Sequence, residues 1–336
     1  MTRPSVAVVI PARNEERAIG PLLDSLGAQT YEQDRLEVVI ADGFSTDATR
    51  STVAAWDAAH PLRVRVVDNE QRVTASGLNA GIAATDADIV IVLGAHASVP
   101  ADFVEASIRV LAESGADCAG GLLETVGTTP TGRAIAAATT SPFGVGNALF
   151  RTGTSAAARD VDTVAFAAYR RELFDRIGGF DVSLVGAEDD ELNFRLVRSG
   201  GRIRFDPSIR STYFCRTTLR GLARQYFMYG RGKAWVLKKH RRPPSVRMLA
   251  PAGLVGGLVA GLGASVALRR PLVLVPLLPY AAVVALGARR AGGSSGVSRP
   301  RTAMALMTLH VAYGVGLFVG AVRPAPHPRQ SFNSSS

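Results

Sequence analysis

The sequence predicts an α/β fold built on a doubly wound sheet and followed by apolar helices at the C-terminus. Up to residue 100, short runs rich in Val and Ile alternate with longer segments whose apolar residues recur at helical spacing. This alternation is typical of parallel strands that are covered by helices on both faces. After residue 248, the chain instead contains three long apolar segments without Asp, Glu, Lys or Arg.

Four strands are predicted in the first part of the chain, because four apolar runs have the length of a strand rather than of a helix. Their sequences are VAVVI (6–10), LEVVIAD (36–42), LRVRVVD (62–68) and DIVIVLG (88–94). In a doubly wound sheet, ligands bind beyond the carboxyl ends of the strands. We therefore expect a binding edge where the polar segments 11–15, 41–43 and 94–96 follow their strands.

Helices are predicted between these strands and in two later segments. Three lie in the first part: NEERAIGPLLDSLGAQ (14–29), with Asn14 as a candidate N-cap, STDATRSTVAAWDAA (45–59) and VTASGLNAGIAAT (73–85). Later, EDDELNFRLVR ends before Gly200-Gly201, a typical helix stop, and residues 219–242 form a basic helix candidate. The stretch between Cys118 and Phe205 is less regular, and the sequence predicts little of its structure.

The three apolar segments are predicted to insert into a membrane. They are Leu249 to Leu268, Pro271 to Ala288 and Ala303 to Val322, each close to the ~20 residues that cross a hydrocarbon core. Buried helices of a soluble protein normally carry a polar stripe, which these segments lack. The second segment lies at the short limit and fits a re-entrant or interfacial helix as well.

The positive charge is concentrated in this C-terminal part. From Lys238 onward there are 13 of the 38 Lys and Arg residues and none of the 28 acidic residues. The preceding part is mildly acidic, which excludes the basic globular body of a nucleic-acid-binding protein. Basic residues cluster before the first apolar segment and in the loop 289–301, so the positive-inside rule places the first part in the cytoplasm and the last residues outside. The N-terminus lacks the apolar length of a signal peptide.

Several polar residues at the predicted strand ends suit the binding of a charged ligand. Asp42 ends the second strand and is followed by Gly43, so its carboxylate can accept hydrogen bonds from a base or a ribose; a loop or capping acid is the alternative. A dinucleotide-binding oxidoreductase would need G-x-G-x-x-G after the first strand, and IPARNEE lacks this pattern. Cys118 and Cys215 show no metal-binding spacing.

The order of four motifs resembles family 2 glycosyltransferases with the GT-A fold: VVIPARNEE, ADGFSTDAT, GLNAGIAA and EDDELNFRL. Four further stretches resemble the succinoglycan-type exopolysaccharide branch of that family: LGAHASVP, SPFGVGNALFR, VDTVAFAAYRRELFDRIGGFD and RQYFMYGRGKA. The similarity covers about residues 5–240. It implies a doubly wound mixed sheet and a nucleotide-sugar-dependent transferase.

The resemblance also assigns residues to the nucleotide sugar, which we expect to be UDP-linked. They are Pro11, Arg13, Asn14, Glu15, Asp42, Asn79, Gly144, Gly146, Gln225, Arg231 and Lys233. The last three stand where the family carries Q-x-x-R-W, but here the tryptophan falls at Trp235 and the arginine is displaced. Cations in this segment can hold a departing diphosphate, or the segment can lie on anionic lipid. Gly144 and Gly146 have a plain turn as their alternative.

The segment Gly94-Ala95-His96 stands where the family usually carries Asp-x-Asp and where the resembling branch carries Asp-Ala-His. His96 is therefore the candidate ligand of a divalent cation, Mg²⁺ or Mn²⁺, while Gly94 replaces the usual first acid. A polar loop histidine without a ligand is the alternative. The loss of this acid also leaves open a catalytically impaired membrane scaffold that retains the fold.

The resemblance places a general base at Asp189, with Glu188 in support. An inverting transferase needs one carboxylate to take the proton of the attacking hydroxyl; Asp190 and Glu191 are interpreted as helix-start acids. The sequence thus predicts a membrane-attached inverting glycosyltransferase of exopolysaccharide or cell-envelope glycan synthesis, with a lipid-linked or polysaccharide acceptor. We expect a catalytic domain at 1–240, about three transmembrane helices at 241–323 and a flexible tail at 324–336.

Overall fold

The computed structural model describes residues 3–153, 157–242, 246–292 and 297–324. These residues form two compact units. The first, here called the sheet unit, takes its residues from Met1–Glu124 and Gly153–Tyr213, and the second, the helical unit, from Thr125–Thr152 and Phe214–Ala325. The predicted flexible tail, residues 324–336, lies outside the described residues from residue 325 onward.

The described residues of the chain form one mixed sheet, as the resemblance implied. Its strands are β1 Val6–Ala12, β2 Leu36–Asp42, β3 Arg63–Asp68, β4 Ile89–Val92, β5 Ala97–Ser98, β6 Cys118–Val126, β7 Arg159–Asp160, β8 Ala168–Arg170 and β9 Ile203–Phe214. The spatial order is β3-β2-β1-β4-β8-β6-β9-β5, with β7 paired to β9. Strands β1 to β4 pair in parallel, whereas β8 runs antiparallel to β4 and β6.

Helices connect the strands and make up most of the helical unit. They are α1 Ile19–Gly27, α2 Thr49–Ala59, α3 Thr74–Ala83, α4 Phe103–Ser114, α5 Pro130–Thr139, α6 Pro142–Val145, α7 Leu149–Thr152, α8 Arg171–Ile177, α9 Glu188–Arg198, α10 Leu219–His240, α11 Ala250–Leu268, α12 Leu274–Ala291 and α13 Arg299–Val322. Short 3-10 helices cover Gln33–Arg35 and Val246–Leu249.

The core of the sheet unit surrounds β1 and β2. Val8, Ile10, Val38 and Ile40 are fully or almost fully buried and belong to one apolar cluster with Leu22 of α1. Their continuous apolar sequence follows from this position, since strands that are covered on both faces have no solvent side. This buried pair of strands fixes the place of the loops that follow them.

Close backbone packing of α10 against α13 organises the helical unit. A side-chain Cβ at Gly230 of α10 would overlap the Tyr313 backbone, and one at Gly316 or Gly320 of α13 would overlap the backbone of Phe227 or Arg231. The two helices run parallel, because the contacts advance in the same direction along both. Glycine lets helix backbones approach this closely.

Three helices, α11, α12 and α13, are long and apolar enough to cross a membrane. Their bounds are shifted from the predicted segments, and α13 begins at Arg299 rather than at residue 303. The most exposed large apolar side chains of α11 are Val259 and Val266, at 66% and 74%. In contrast, Leu306 and Leu309 of α13 are buried within the protein, so one face of the first half of α13 packs against protein.

Candidate active site

The ends of β1, β2 and β4 lie side by side at one edge of the sheet unit. Strands β1 and β2 pair in register up to Ala12 and Asp42, and the Gly43 N–H donates to the Ala12 carbonyl at 2.8 Å. Strand β4 lies on the other side of β1, with Val92 paired to Val9. The loops after β1, β2 and β4 therefore start side by side, and Pro11 and Asp42 occupy this edge as expected.

Asp42 is a buried carboxylate with several hydrogen-bond partners. It accepts from the Ser45 hydroxyl at 2.5 Å, from the Ser45 N–H at 3.1 Å and from Arg50 Nε at 2.6 Å. Burial alone would raise the pKa of Asp42, but the hydrogen bonds from Ser45 and Arg50 outweigh it and lower the pKa below its ordinary value. Asp42 is thus an ionised group that fixes the β2–α2 loop and Arg50, which also pairs with Asp68.

Asn14 joins the loops after β1 and β2. Its side-chain oxygen accepts from the Thr46 N–H at 2.8 Å, and its own N–H donates to the Ser45 hydroxyl at 2.9 Å. The prediction of Asn14 as an N-cap is wrong, because α1 begins at Ile19 and Asn14 has a left-handed φ of 56°. Asparagine tolerates this conformation better than most residues. The neighbouring Arg13 is exposed, and a Cβ at Gly43 would lie 3.3 Å from its side chain.

Two further residues at this edge were missed by the sequence reasoning. Phe44 is exposed, with a left-handed φ of 57°, and the guanidinium groups of Arg50 and Arg72 lie 5.9 and 5.1 Å from its ring centre. An aromatic residue directly after Asp42-Gly43 was the available signal. Arg50 gave no such signal in the sequence, because it lies inside the predicted second helix.

His96 lies beside Glu15. Its Nε2 is 3.2 Å from a Glu15 carboxylate oxygen, and the two side chains are 39% and 21% exposed. No group of three or more His, Cys, Asp or Glu side chains forms a metal site anywhere in the described ranges. A Cβ at Gly94 would lie 3.5 Å from the Phe166 ring, an ordinary contact, so space exists for the acid that this position lacks.

Helix α9 begins with the candidate catalytic acids. Asp189 is exposed, and its Oδ1 accepts from the Asp190 N–H at 2.8 Å. Glu188 is half-buried and accepts from the Gly186 N–H at 2.7 Å. Burial raises the pKa of Glu188 above its ordinary value. The two neighbouring carboxyl groups therefore occupy different environments.

Glu191 has a structural role that a solvated helix-start acid would not have. It is fully buried and pairs with Arg195 at 2.9 Å. Arg195 also donates to the carbonyls of Ile177 and Gly179, the latter at 2.6 Å. This pair ties α9 to the end of α8 and so fixes the direction in which α9 begins.

Asn79 forms hydrogen bonds within the protein. Its amide donates to the Phe180 carbonyl and accepts from the Phe180 N–H, both at 2.8 Å. It thereby fastens α3 to the segment that precedes α9. Its predicted contact with the nucleotide stays a prediction.

The remaining predicted residues lie in the helical unit. Gly146 follows α6 with a φ of 64°, and a Cβ at Gly144 would overlap the Ala138 carbonyl of α5. On α10, Gln225 donates to the Tyr229 hydroxyl at 2.9 Å. Lys233 lies on the same helix. Gly146 thus stands at a turn, and Gly144 makes a close backbone contact.

Arg231 is the most constrained of these residues. Its guanidinium lies 4.9 Å from the Trp235 ring centre and 5.8 Å from that of Phe227. Its buried Nε has no hydrogen-bond partner in the described part of the chain. Burial lowers the pKa of Arg231 below its ordinary value.

A mixed sheet with acids at the carboxyl ends of its parallel strands is the arrangement of GT-A glycosyltransferases. Residues 7–178 match the sequence model of the family described as glycosyl transferase family 2. The chain is also 33% identical over 327 residues, 95% of each protein, to the succinoglycan biosynthesis protein ExoA of Rhizobium meliloti. The chain therefore belongs to glycosyl transferase family 2, and it is a glycosyltransferase.

Other relatives and solved structures agree with this assignment. A dolichyl N-acetyl-alpha-D-glucosaminyl phosphate 3-beta-D-2,3-diacetamido-2,3-dideoxy-beta-D-glucuronosyltransferase of Methanococcus voltae is 24% identical over 241 residues, 70% of this chain and 74% of that protein. The fold resembles the mannosyltransferase PcManGT of Pyrobaculum calidifontis in complex with GDP-Man and Mn²⁺, with a TM-score of 0.61, 23% identity and coverage of 96% and 88%. It also resembles TarS 1–349 of S. aureus in complex with UDP, with a TM-score of 0.51, 16% identity and coverage of 94% and 90%.

Proposed function

We propose that this protein is a membrane-attached inverting glycosyltransferase of exopolysaccharide or cell-envelope glycan synthesis. It moves a sugar from a nucleoside-diphosphate donor, UDP-linked in our proposal, to a lipid-linked or polysaccharide acceptor. Residues 1–240 form its catalytic domain and residues 241–323 its membrane region. The observation that supports an inverting reaction best is the exposed carboxylate of Asp189 beside a half-buried Glu188 whose pKa is raised.

Asp189 acts as the general base. It takes the proton of the acceptor hydroxyl, whose oxygen bonds to the anomeric carbon while the bond from that carbon to the diphosphate oxygen breaks on the opposite face. The Asp190 N–H donates to Asp189 Oδ1 and helps to orient the exposed carboxylate that accepts this proton. Because its pKa is raised, Glu188 loses its proton less readily than an ordinary glutamate. It supports the start of α9.

The donor nucleotide occupies the edge formed by the loops after β1 and β2. The Asp42–Arg50 pair and the Asn14 hydrogen bonds keep these loops in one arrangement before the donor binds. A divalent cation, when bound, supplies positive charge to the departing diphosphate, and His96 is the residue proposed to hold it. Arg231 and Lys233 add positive charge for the same leaving group or for an anionic lipid headgroup.

The apolar helices hold the enzyme at the membrane. Attachment restricts the search for a lipid-linked acceptor to the membrane surface, which raises its effective concentration. The relative from Methanococcus voltae is named for a dolichyl-phosphate-linked acceptor, which supports this substrate class. We propose the cell membrane as the location, with the catalytic domain in the cytoplasm.

The test uses the full chain in membranes. UDP- and GDP-linked sugars are supplied with lipid extracts as acceptors, and the product is isolated for NMR of the new glycosidic bond. We expect transfer from one donor with the anomeric configuration inverted. Retention of configuration would exclude Asp189 as a simple base.

A catalytically impaired scaffold is the second candidate, and Gly94 is the observation that favours it. In that case no donor in the panel would be consumed with any acceptor. The variant Gly94→Asp would then restore turnover, since the site has room for the side chain to begin.

A further inference from the structure

The loop after β4 lacks the acid that would accompany His96, yet a carboxylate from another loop lies close to the His96 ring. Glu15, from the loop after β1, lies 3.2 Å from His96 Nε2. Its N–H donates to the Thr49 hydroxyl at 2.7 Å, and its carbonyl accepts from the N–H groups of Ala18 and Ile19, each at 2.9 Å. The backbone of Glu15 is thus held in place independently of its side chain.

The two side chains have the donor atoms and the exposure that a cation site needs. A carboxylate oxygen and an imidazole nitrogen are both ligands of divalent metal ions such as Mn²⁺. Both side chains are partly exposed, at 21% and 39%, at the edge where β1 and β4 end. A partly exposed polar contact of this kind contributes little to stability, so stability alone gives no reason for this pair.

The number of ligands also fits. Mg²⁺ and ions that behave like it are usually held by one or two protein side chains, with water and substrate phosphate oxygens completing the coordination. Within the described ranges no third His, Cys, Asp or Glu side chain joins such a group. Two protein ligands leave room for the donor diphosphate.

We infer that Glu15 replaces the acid missing at Gly94, and that Glu15 and His96 together hold a divalent cation. This inference rests on the proposed function, because the diphosphate of the donor completes the site. The proposed carboxylate ligand thus comes from the loop after β1 rather than from the loop after β4, whereas the imidazole ligand still comes from the loop after β4.

The experiment measures Mn²⁺ binding to the full chain in detergent, by the EPR signal of free Mn²⁺, with UDP or GDP present. Glu15→Gln should weaken binding about tenfold or more, since even altering an indirect partner of a metal ligand costs 10–100-fold. Glu15→Asp keeps the charge but shortens the side chain, and should weaken binding less. The matched control is Glu16→Gln, whose exposed carboxylate accepts from the Ala48 N–H and should leave affinity within about twofold of the wild type.

A rescue variant separates ligation from folding. The double variant Glu15→Gln with Gly94→Asp puts a carboxylate on the β4 loop, where a Cβ meets only the Phe166 ring at 3.5 Å and farther. Mn²⁺ affinity should return while the thermal unfolding temperature of the single and double variants stays equal. Wild-type Mn²⁺ affinity in the single variant Glu15→Gln would overturn the inference.

The wild-type titration distinguishes this failure from failure of the proposed function. If neither UDP nor GDP binds the wild type, with or without Mn²⁺, the proposed function fails and the inference falls with it. If a diphosphate binds with Mn²⁺ and Glu15→Gln changes nothing, only the inference is overturned.

Discussion

The β2–α2 loop and the start of α9 each present carboxyl groups, but they use them in opposite ways. Asp42 is buried, accepts hydrogen bonds from Ser45 and Arg50, and has a lowered pKa. At α9, Asp189 is exposed, and burial raises the pKa of its neighbour Glu188. In the first region, the carboxylate of Asp42 already accepts hydrogen bonds within the protein, which suits a group that holds the binding loops in place. The second presents an exposed carboxylate, which suits proton transfer.

The largest effect that tests this contrast is the loss of the exposed carboxylate of Asp189. Asp189→Asn should lower kcat by about 10²–10⁴-fold, the usual contribution of a general base, without changing the thermal unfolding temperature. The control is Asp190→Asn, which keeps the backbone N–H that holds Asp189. Equal kcat in the wild type and Asp189→Asn would remove Asp189 from the reaction.

Loss of the buried carboxylate should act on stability instead. Asp42→Asn leaves Ser45 and Arg50 with weaker partners and should lower the free energy of unfolding by about 1–3 kcal/mol. Asp34→Asn, at an exposed position, is the control. Because the pKa of Asp42 is lowered in the fold, its contribution is present above the unfolded pKa of about 3.9 and is lost as pH falls through the folded value. Urea unfolding should therefore show a gap between wild type and variant that closes below about pH 4.

A smaller change tests whether the loops after β1 and β2 act together. Ser45→Ala removes the donor to Asp42 and the acceptor of the Asn14 N–H, and should cost about 1 kcal/mol and weaken diphosphate binding. Ser51→Ala, which loses only a local hydrogen bond to the Ala48 carbonyl, should do neither. If both variants bind diphosphate equally well, the two loops do not form one frame.

The smallest effect concerns Glu188 and has the opposite sign. A carboxyl group with a raised folded pKa stabilises the fold fully below its unfolded pKa, and that stability is lost as pH rises through the folded pKa. Glu188→Gln keeps the uncharged form and should become more stable relative to the wild type between about pH 4 and neutrality. Urea unfolding at several pH values measures this difference. A gap that shrinks as pH rises would contradict the raised pKa.

The parallel half of the sheet follows from the sequence, because buried strands give continuous apolar runs. Strand β2 spans Leu36–Asp42 as predicted. The resemblance implied a mixed sheet, but the strands of the antiparallel half were not located in the sequence, since β8 has only three residues and β9 contains Pro207 within its twelve. Such strands are defined by their partners rather than by a pattern of their own.

The predicted site shows the same division. Asp42 at a strand end was predictable, because strand ends meet at one edge. The approach of Glu15 to His96 was not, since it depends on the left-handed turn at Asn14 that delays α1 to Ile19. The pairing of Asn79 with Phe180 joins residues 101 positions apart, and no local pattern reports such a contact.

The parallel packing of α10 and α13 brings the ends of the two helices together. Lys238 Nζ and Trp235 Nε1 near the end of α10 donate to the Arg323 carbonyl just after α13, at 3.1 and 3.2 Å. The last turns of both helices are therefore fastened to each other. A shift of either helix along its axis would break both hydrogen bonds.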